Sequence, residues 1–175
     1  MGQYDFTLKF ALTQRDADKD ELVERLGAEG CDDALVGLGQ HGRIALNFIR
    51  EADSASEAVY SALSDVKRAI PDALLVEAAP DLVGITDIAD LCGVSRQYIR
   101  KLVINSGAGF PLPVHEGKPV IWHLSKVLSW VVDQRKYEFD QKLLDLAHIN
   151  MQCNILKDSN DLDPKISDHL KDLVV

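Results

Sequence analysis

The chain has 175 residues, 46% of them hydrophobic, and a formal net charge of −9 from 19 Lys and Arg against 28 Asp and Glu. That length holds one sizeable or two small domains, and no apolar run approaches the roughly 18 residues that a membrane-spanning helix needs. The opening Met-Gly-Gln-Tyr-Asp-Phe lacks a secretory pattern, so a cytoplasmic protein with no membrane partner is expected.

Tyr4–Leu12 alternates apolar and polar residues and predicts a strand. Asp18–Ala28 predicts an amphipathic helix with Leu22, Val23 and Leu26 inward, ended by Gly27 or Gly30. Ala34–Gly37 and Ile44–Ile49 flank Gly39-Gln40-His41-Gly42 and predict a hairpin. Ser54 or Ser56 caps a helix that carries Val59, Leu63, Val66 and Ile70 and stops at Pro71. Leu74–Ala78 predicts a last strand before the linker Ala79-Pro80-Asp81. The order β-α-β-β-α-β predicts a ferredoxin-like α+β sandwich over residues 1–79. Such a module could bind a small effector, form a dimer or grip a protein partner, and fold alone does not choose among these.

Three further features are ordinary. Gly37, Gly39 and Gly42 form G-x-G-x-x-G between two strands rather than before a helix, so they are turn glycines, with His41 a solvated loop residue. Asp16, Asp18, Asp20, Glu21 and Glu24 make a solvated helix start without an EF-hand spacing. Cys31, Cys92 and Cys153 fit neither a disulfide framework nor a zinc spacing, and no metal is expected.

The stretch Thr86–Leu102, T-D-I-A-D-L-C-G-V-S-R-Q-Y-I-R-K-L, is the most informative. Thr86 is an N-cap, followed by Asp87 in the first turn. Ile88, Ala89, Leu91 and Cys92 form a small apolar face, and Gly93 supplies a left-handed helix end. Val94 is a plug and Ser95 caps a second helix with Ile99 and Leu102 inward. Arg96, Gln97, Arg100 and Lys101 then project, while Tyr98 could face a phosphate or the domain. A helix, a tight turn and a second helix opening with polar and basic residues is how a protein presents a helix to the major groove. The alternative is a helical hairpin with solvated basic residues.

Phe110-Pro-Leu-Pro cannot be a helix interior. Val114 and Val120–Trp122 predict a hairpin with His115-Glu-Gly-Lys118 at its tip, a wing over 114–122, and Ser125 caps a helix with Val127, Leu128, Val131 and Val132. Gly93-Val94-Ser95, Ile99, Phe110-Pro111-x-Pro113-Val114, Trp122 and Leu128-x-Trp130 resemble the AlpA and excisionase type of DNA-binding domain, within the broader MerR-like winged helices. The resemblance covers residues 83–133, under a third of the chain. It implies a winged helix-turn-helix that reads double-stranded DNA with the second helix and lays its wing on the backbone or minor groove. Proteins of this type are often little more than that domain, and here long flanks surround it.

Charge is distributed unevenly. Residues 1–83 hold 8 Lys and Arg against 16 acids, residues 84–136 hold 7 against 4, and residues 137–175 hold 4 against 8. The segment with the motif is the one net basic stretch, and its modest excess favours a dimer with doubled phosphate contacts.

Ser125 to about Asp158 lacks proline and glycine and predicts one long helix. Its seam runs through Leu128, Val132, Phe139, Leu143, Leu146, Ile149 or Asn150, and Cys153, interrupted near Arg135. Residues 134–175 are therefore expected to dimerise the protein, as MerR-like proteins do through a helix after the wing. The alternative is a helix broken near Lys136 that folds back. The acidic tail is flexible or forms a short partner-binding helix from Pro164, with Ile166, Leu170 and Leu173 on one face.

No nucleophile elbow, P-loop or H-E-x-x-H is present, so neither an enzyme nor a cofactor is expected. The expectation is a sequence-specific transcriptional regulator, a dimeric repressor. Arg96, Gln97 and Arg100 would face base edges, and Ser95, Tyr98, Lys101 and the wing's Lys118 phosphates. Two alternatives are an antitoxin or adaptor whose acidic flanks neutralise a protein partner while it autoregulates its operon, and an excisionase-like architectural protein.

Overall fold

A computed structural model describes residues 1–13, 18–106, 109–134 and 140–174. The expected Asp16 and Phe139 positions and the Arg135 interruption lie outside these residues. The protein is α+β, with seven helices and two antiparallel sheets among the described residues.

Strand β1 (Gly2–Ala11) buries Tyr4, Phe6, Leu8 and Phe10, the inward half of its alternation. Helix α1 (Lys19–Ala28) is capped by Asp18, whose carboxylate accepts the Asp20 N–H at 2.9 Å. It buries Leu22 and Leu26, but Val23 is 41% exposed, a correction to the expected inward trio. A ten-residue helix lying on a sheet buries a stripe at i and i+4, and position i+1 turns away. Strands β2 (Ala34–Gly37) and β3 (Arg43–Ala52) form the expected hairpin, with Gly42 at φ +69° in the turn. Ser54 rather than Ser56 caps α2 (Ala55–Ala69), accepting the Glu57 N–H, and β4 (Leu74–Ala79) completes the unit.

The strand order is β2-β3-β1-β4, antiparallel throughout. Phe6 faces Phe48 in the β1–β3 register and their rings stack at 5.2 Å. These rings join Leu8, Phe10, Leu46, Val59 and Val66 in a first hydrophobic core.

The second half contains β5 (Leu82–Val83), α3 (Ile85–Leu91), α4 (Arg96–Ser106), β6 (His115–Glu116), β7 (Val120–His123) and α5 (Leu124–Asp133). Strand β5 pairs with β7, giving a three-stranded sheet of order β5-β7-β6. Ile88, Ile99, Phe110, Trp122, Leu124 and Leu128 form a second core. Ser125 is not the cap of α5: the helix starts at Leu124 after His123, and Ser125 is buried with its hydroxyl 3.2 Å from Met151 Sδ.

The single long C-terminal helix is not observed. Helix α5 ends at Asp133 with Gln134 as its C-cap, and a new helix, α6 (Gln141–Ser159), starts after an Asp140 cap and packs back against α5. Fold-back wins because α6 has two partners inside its own chain. It gives Leu146 and Ile149 to the first core and Ala147 to the second. Leu128, Leu143, Leu146, Ile149 and Cys153 of the seam expected to pair with a second copy are thus spent within the molecule, whereas Val132 is 41% exposed. A last helix, α7 (Pro164–Val174), has no buried residue. No helix among the described residues is long and apolar enough to cross a membrane.

Polar bonds seal the junction of the two halves. The Asn154 amide accepts from the Ala78 N–H and donates to the Ala78 carbonyl, both at 2.8 Å, so a side chain completes the open edge of β4 as another strand would. Asn154 also donates to Asp81 Oδ2, and His123 Nδ1 lies 2.8 Å from Asp81 Oδ1. Lys157 donates to the Val76 carbonyl at 2.9 Å.

Candidate nucleic-acid interface

The site is built on α3, the turn after it, α4 and the β6–β7 hairpin. Helix α3 is capped by Gly84 rather than Thr86: the chain leaves β5 at Val83, and the Gly84 N–H donates to the Asp87 carboxylate at 2.7 Å. Thr86 sits in the first turn, exposed. Asp87 still serves the helix start, by a bond to the backbone rather than by charge alone.

Gly93 adopts φ +63° and ends α3 as expected. The Val94 N–H returns to the Ala89 carbonyl at 2.9 Å, and Val94 packs half-buried against the second core. Ser95 then caps α4, its hydroxyl accepting the Tyr98 N–H at 3.2 Å. This cap and the Gly93 turn fix the angle at which α4 leaves the core.

Helix α4 divides cleanly into two faces. Ile99 is buried, Leu102 and Val103 are half-buried, and all three face the second core. Arg96, Gln97, Arg100 and Lys101 are exposed on the other face. Positions 96 and 100, and 97 and 101, are one helical turn apart, so the four side chains form a single patch. Helix α4 carries no acid, and among the described residues no carboxylate pairs with Arg96, Arg100 or Lys101. Three long cationic donors therefore keep their hydrogen-bonding capacity for solvent or a ligand.

Two of the seven expected residues are occupied differently from the rest. Ser95 is exposed, but its hydroxyl oxygen serves the cap. Tyr98 is half-buried and its ring packs against the second core, the domain side of its two options.

The hairpin extends over β6 and β7, with Val114 joined in advance through its N–H to the Ile121 carbonyl at 2.8 Å. His115 and Glu116 belong to strand β6 rather than to the tip, which narrows to Gly117-Lys118-Pro119 with a cis Lys118–Pro119 bond. Lys118 is exposed at that tip, on a separate element from the α4 patch. The His115 ring lies over the turn, so a Cβ at Gly117 would come within 2.0 Å of His115 Nε2 unless that exposed ring swung aside.

The loop between α4 and β6 is pinned by aromatic packing. Phe110 meets the Trp122 ring edge-on at 5.9 Å and the Trp130 ring at 5.0 Å. Trp122 Nε1 donates to the Pro111 carbonyl at 3.1 Å. These contacts bind the loop, the hairpin and α5 into the body that carries α4.

Strand β5, Gly84 and the Asp81–His123 pair escaped sequence reasoning. A two-residue strand has no periodicity to detect, and Asp81 and His123 are 42 residues apart. Among the described residues no cluster of His, Cys, Asp or Glu could hold a metal ion. No family model matches the chain, and neither a curated protein nor a solved structure shows significant similarity to it.

Proposed function

We propose that this protein is a sequence-specific DNA-binding transcriptional regulator that reads the major groove with α4. The observation that carries this reading is the α4 patch: Arg96, Gln97, Arg100 and Lys101 exposed together, without a paired carboxylate among the described residues. Residues 83–133 act as a winged helix-turn-helix, a reading supported by the order helix, left-handed glycine turn, capped helix, hairpin. Residues 1–79 form a ferredoxin-like module, supported by the antiparallel order β2-β3-β1-β4 with two crossover helices.

Arg96, Gln97 and Arg100 contact base edges, since long donors near the start of a recognition helix match guanine and adenine. Lys101, Ser95 and the wing's Lys118 contact phosphates, and Tyr98 supports α4 from below. Selection of bound sequences from random DNA, at stated salt, identifies the operator. Arg96→Ala and Arg100→Ala each then cost about 1–3 kcal/mol in operator binding and relax preference at one base position. Lys101→Ala weakens binding across all sequences and reduces the salt slope by about 1. Unchanged operator affinity in both arginine variants sinks the assignment of α4 as the reader.

A further inference from the structure

The sheet of the first half ends in two strands, β4 and β2, and only one of these edges is closed. Along β4, Asn154 takes up the Ala78 backbone and Lys157 the Val76 carbonyl, so side chains of α6 stand in for a further strand. Strand β2 has a neighbour on one side only, β3. Its sequence, Ala34-Leu-Val-Gly37, carries neither charge nor proline, the usual guards of an open edge, and Leu35 is 77% exposed.

The hydrogen-bond pattern shows which backbone groups that edge presents. The Ile49 N–H donates to the Asp33 carbonyl at 3.1 Å, and Leu35 and Gly37 follow opposite Asn47 and Ala45. Bonds to β3 therefore fall at 33, 35 and 37, while Ala34, Val36 and Leu38 turn their N–H and C=O groups away from the sheet. The Ala34 N–H is spent on the Cys31 carbonyl at 3.2 Å. Among the described residues nothing takes up the Val36 and Leu38 N–H groups, so two donors and the three outward carbonyls remain for a further strand.

A cleft of about 260 Å³ opens beside this edge, lined by Lys9, Gly37, Gly39, Arg43 and Ala45 among others. Lys9, Ala45 and Gly37 are successive partners across β1, β3 and β2, and none of them belongs to the first core. They form one row on the face of the sheet that also carries Leu35. The row stops at Gly37, which has no side chain, and the next place in it belongs to whatever strand pairs with β2.

We propose that β2 pairs antiparallel with β2 of a second copy, centred on Val36, so that Leu35 of each copy fills the cleft beside Gly37 of the other. A two-fold axis at the edge keeps the same face of both sheets on one side, so residues of like side oppose each other. Centred on Val36, the Val36 N–H donates to the Val36 carbonyl of the second copy and the Leu38 N–H to its Ala34 carbonyl, each bond made twice. Leu35 then stands opposite Gly37, the exposed leucine against the vacant end of the row. The occupant is a second copy because β2 itself supplies both the projecting side chain and the cleft that receives it.

The neighbouring registers fit less well. Centring on Leu35 opposes Val36 to Ala34, whose N–H is spent, and Gly37 to Asp33, which Arg50 already holds. Centring on Gly37 carries the pairing out of the strand to Gln40, in the turn before β3. Charge agrees with the Val36 register, which brings Asp32 of one copy opposite Gln40 of the other. Beside Gln40 lies Arg43, joined to it through the Arg43 N–H and the Gln40 carbonyl at 3.1 Å. Asp32 and Arg43 are both exposed, and neither is in an ion pair among the described residues. Opposite charges thus meet at both ends of the paired strands. This contact uses the N-terminal half alone and does not rest on the DNA reading.

Sedimentation equilibrium of the full chain without DNA tests the pairing, and a monomer–dimer equilibrium with a dissociation constant on the order of tens of micromolar is expected. Leu35→Asp, at an exposed position, raises that constant about tenfold or more and leaves the circular dichroism spectrum unchanged. Amide hydrogen exchange locates the contact in the unmodified chain, with no substitution needed. The Val36 and Leu38 amides exchange several-fold more slowly in samples well above the dissociation constant than in samples well below it. The Leu35 and Gly37 amides, bonded to β3 in either state, show no such dependence. A chain that stays monomeric at several hundred micromolar overturns the proposal, as does a dimer equally tight in Leu35→Asp. A dimer in which Val36 and Leu38 exchange at the same rate at every concentration also overturns it, because the copies would then meet elsewhere.

Discussion

At the scale of single residues, the side chains under most constraint lie away from the α4 patch. Arg50 is 7% exposed on β3, and its guanidinium donates to Asp33 at 2.8 and 2.9 Å, to Asp65 at 2.7 Å and to the Gly30 carbonyl at 2.6 Å. It also lies 4.9 Å from the centre of the Phe48 ring. Burial alone would lower its pKa, but the hydrogen bonds it donates to both carboxylates outweigh that effect and hold Arg50 more firmly protonated than an ordinary arginine. Arg50→Met leaves Asp33 and the largely buried Asp65 without this partner and is expected to cost about 3 kcal/mol in urea unfolding, since removing one side of a buried pair orphans the other. Arg68 meets Asp65 from the exposed side of the network, and Arg68→Met costs much less. Equal losses in the two variants would show that the network's energy does not follow burial. Cys31, beneath the same network, has its thiol pushed up from 9 to about 11, first by burial and then by Asp65. An acid whose folded pKa is raised stabilises the fold below its unfolded pKa, so stability falls as pH rises from about 9 to about 11, an effect that Cys31→Ser removes. None of this was legible in the sequence, where Arg50 is one charge in an alternating strand. By contrast, the exposure of Arg96, Gln97, Arg100 and Lys101 followed directly from the positions of Ile99 and Leu102 on a 3.6-residue period.

Elements were legible where a periodic pattern is bounded by chemically specific punctuation. The ends of α1, α2 and α4 carry the Asp18, Ser54 and Ser95 caps, and each side-chain oxygen accepts a backbone N–H of the first turn. The turn between α3 and α4 rests on Gly93 in the same way. At φ +63° a Cβ would meet no atom within 4 Å, so the cost of a side chain there is conformational rather than steric. Gly93→Ala is therefore expected to destabilise the second core by about 1–2 kcal/mol. Gly93→Asn, whose short amide tolerates the left-handed region, costs less. Thermal unfolding of the pair measures the difference, and equal losses would point to packing rather than backbone strain. Elements failed where the deciding partner is distant in sequence. Strand β5 exists because Val83 pairs with Trp122, and α3 starts at Ile85 because β5 delivers the chain there. The stretch from Ser125 onward reads as one helix in the sequence because neither proline nor glycine interrupts it. Its division follows from two cores that both need α6, which local periodicity cannot report.

For the whole molecule, α6 changes what the two halves are. They were expected as separate units with a dimerising helix appended, yet α6 lends side chains to both cores and closes the β4 edge through Asn154. Asp81, in the connection between the halves, is held by Asn154 from α6 and by His123 from the end of β7. A molecule joined this way should unfold as one cooperative unit rather than half by half. The protein offers a direct means of testing this, because both its tryptophans, Trp122 and Trp130, belong to the second core. Tryptophan fluorescence thus follows that core, while amide exchange in β1 and β3 follows the first. In urea the two signals are expected to share one midpoint. Asn154→Ala removes the bonds to Ala78 and Asp81 and leaves a strand edge and a buried carboxylate short of partners, at about 1–3 kcal/mol for each orphaned group. It should lower both midpoints together if α6 couples the cores. Two separated transitions in the unmodified chain would mean instead that the cores fold independently and that α6 only rests between them. Under cooperative coupling, a ligand or partner that binds the first half also stabilises the body on which α4 is carried.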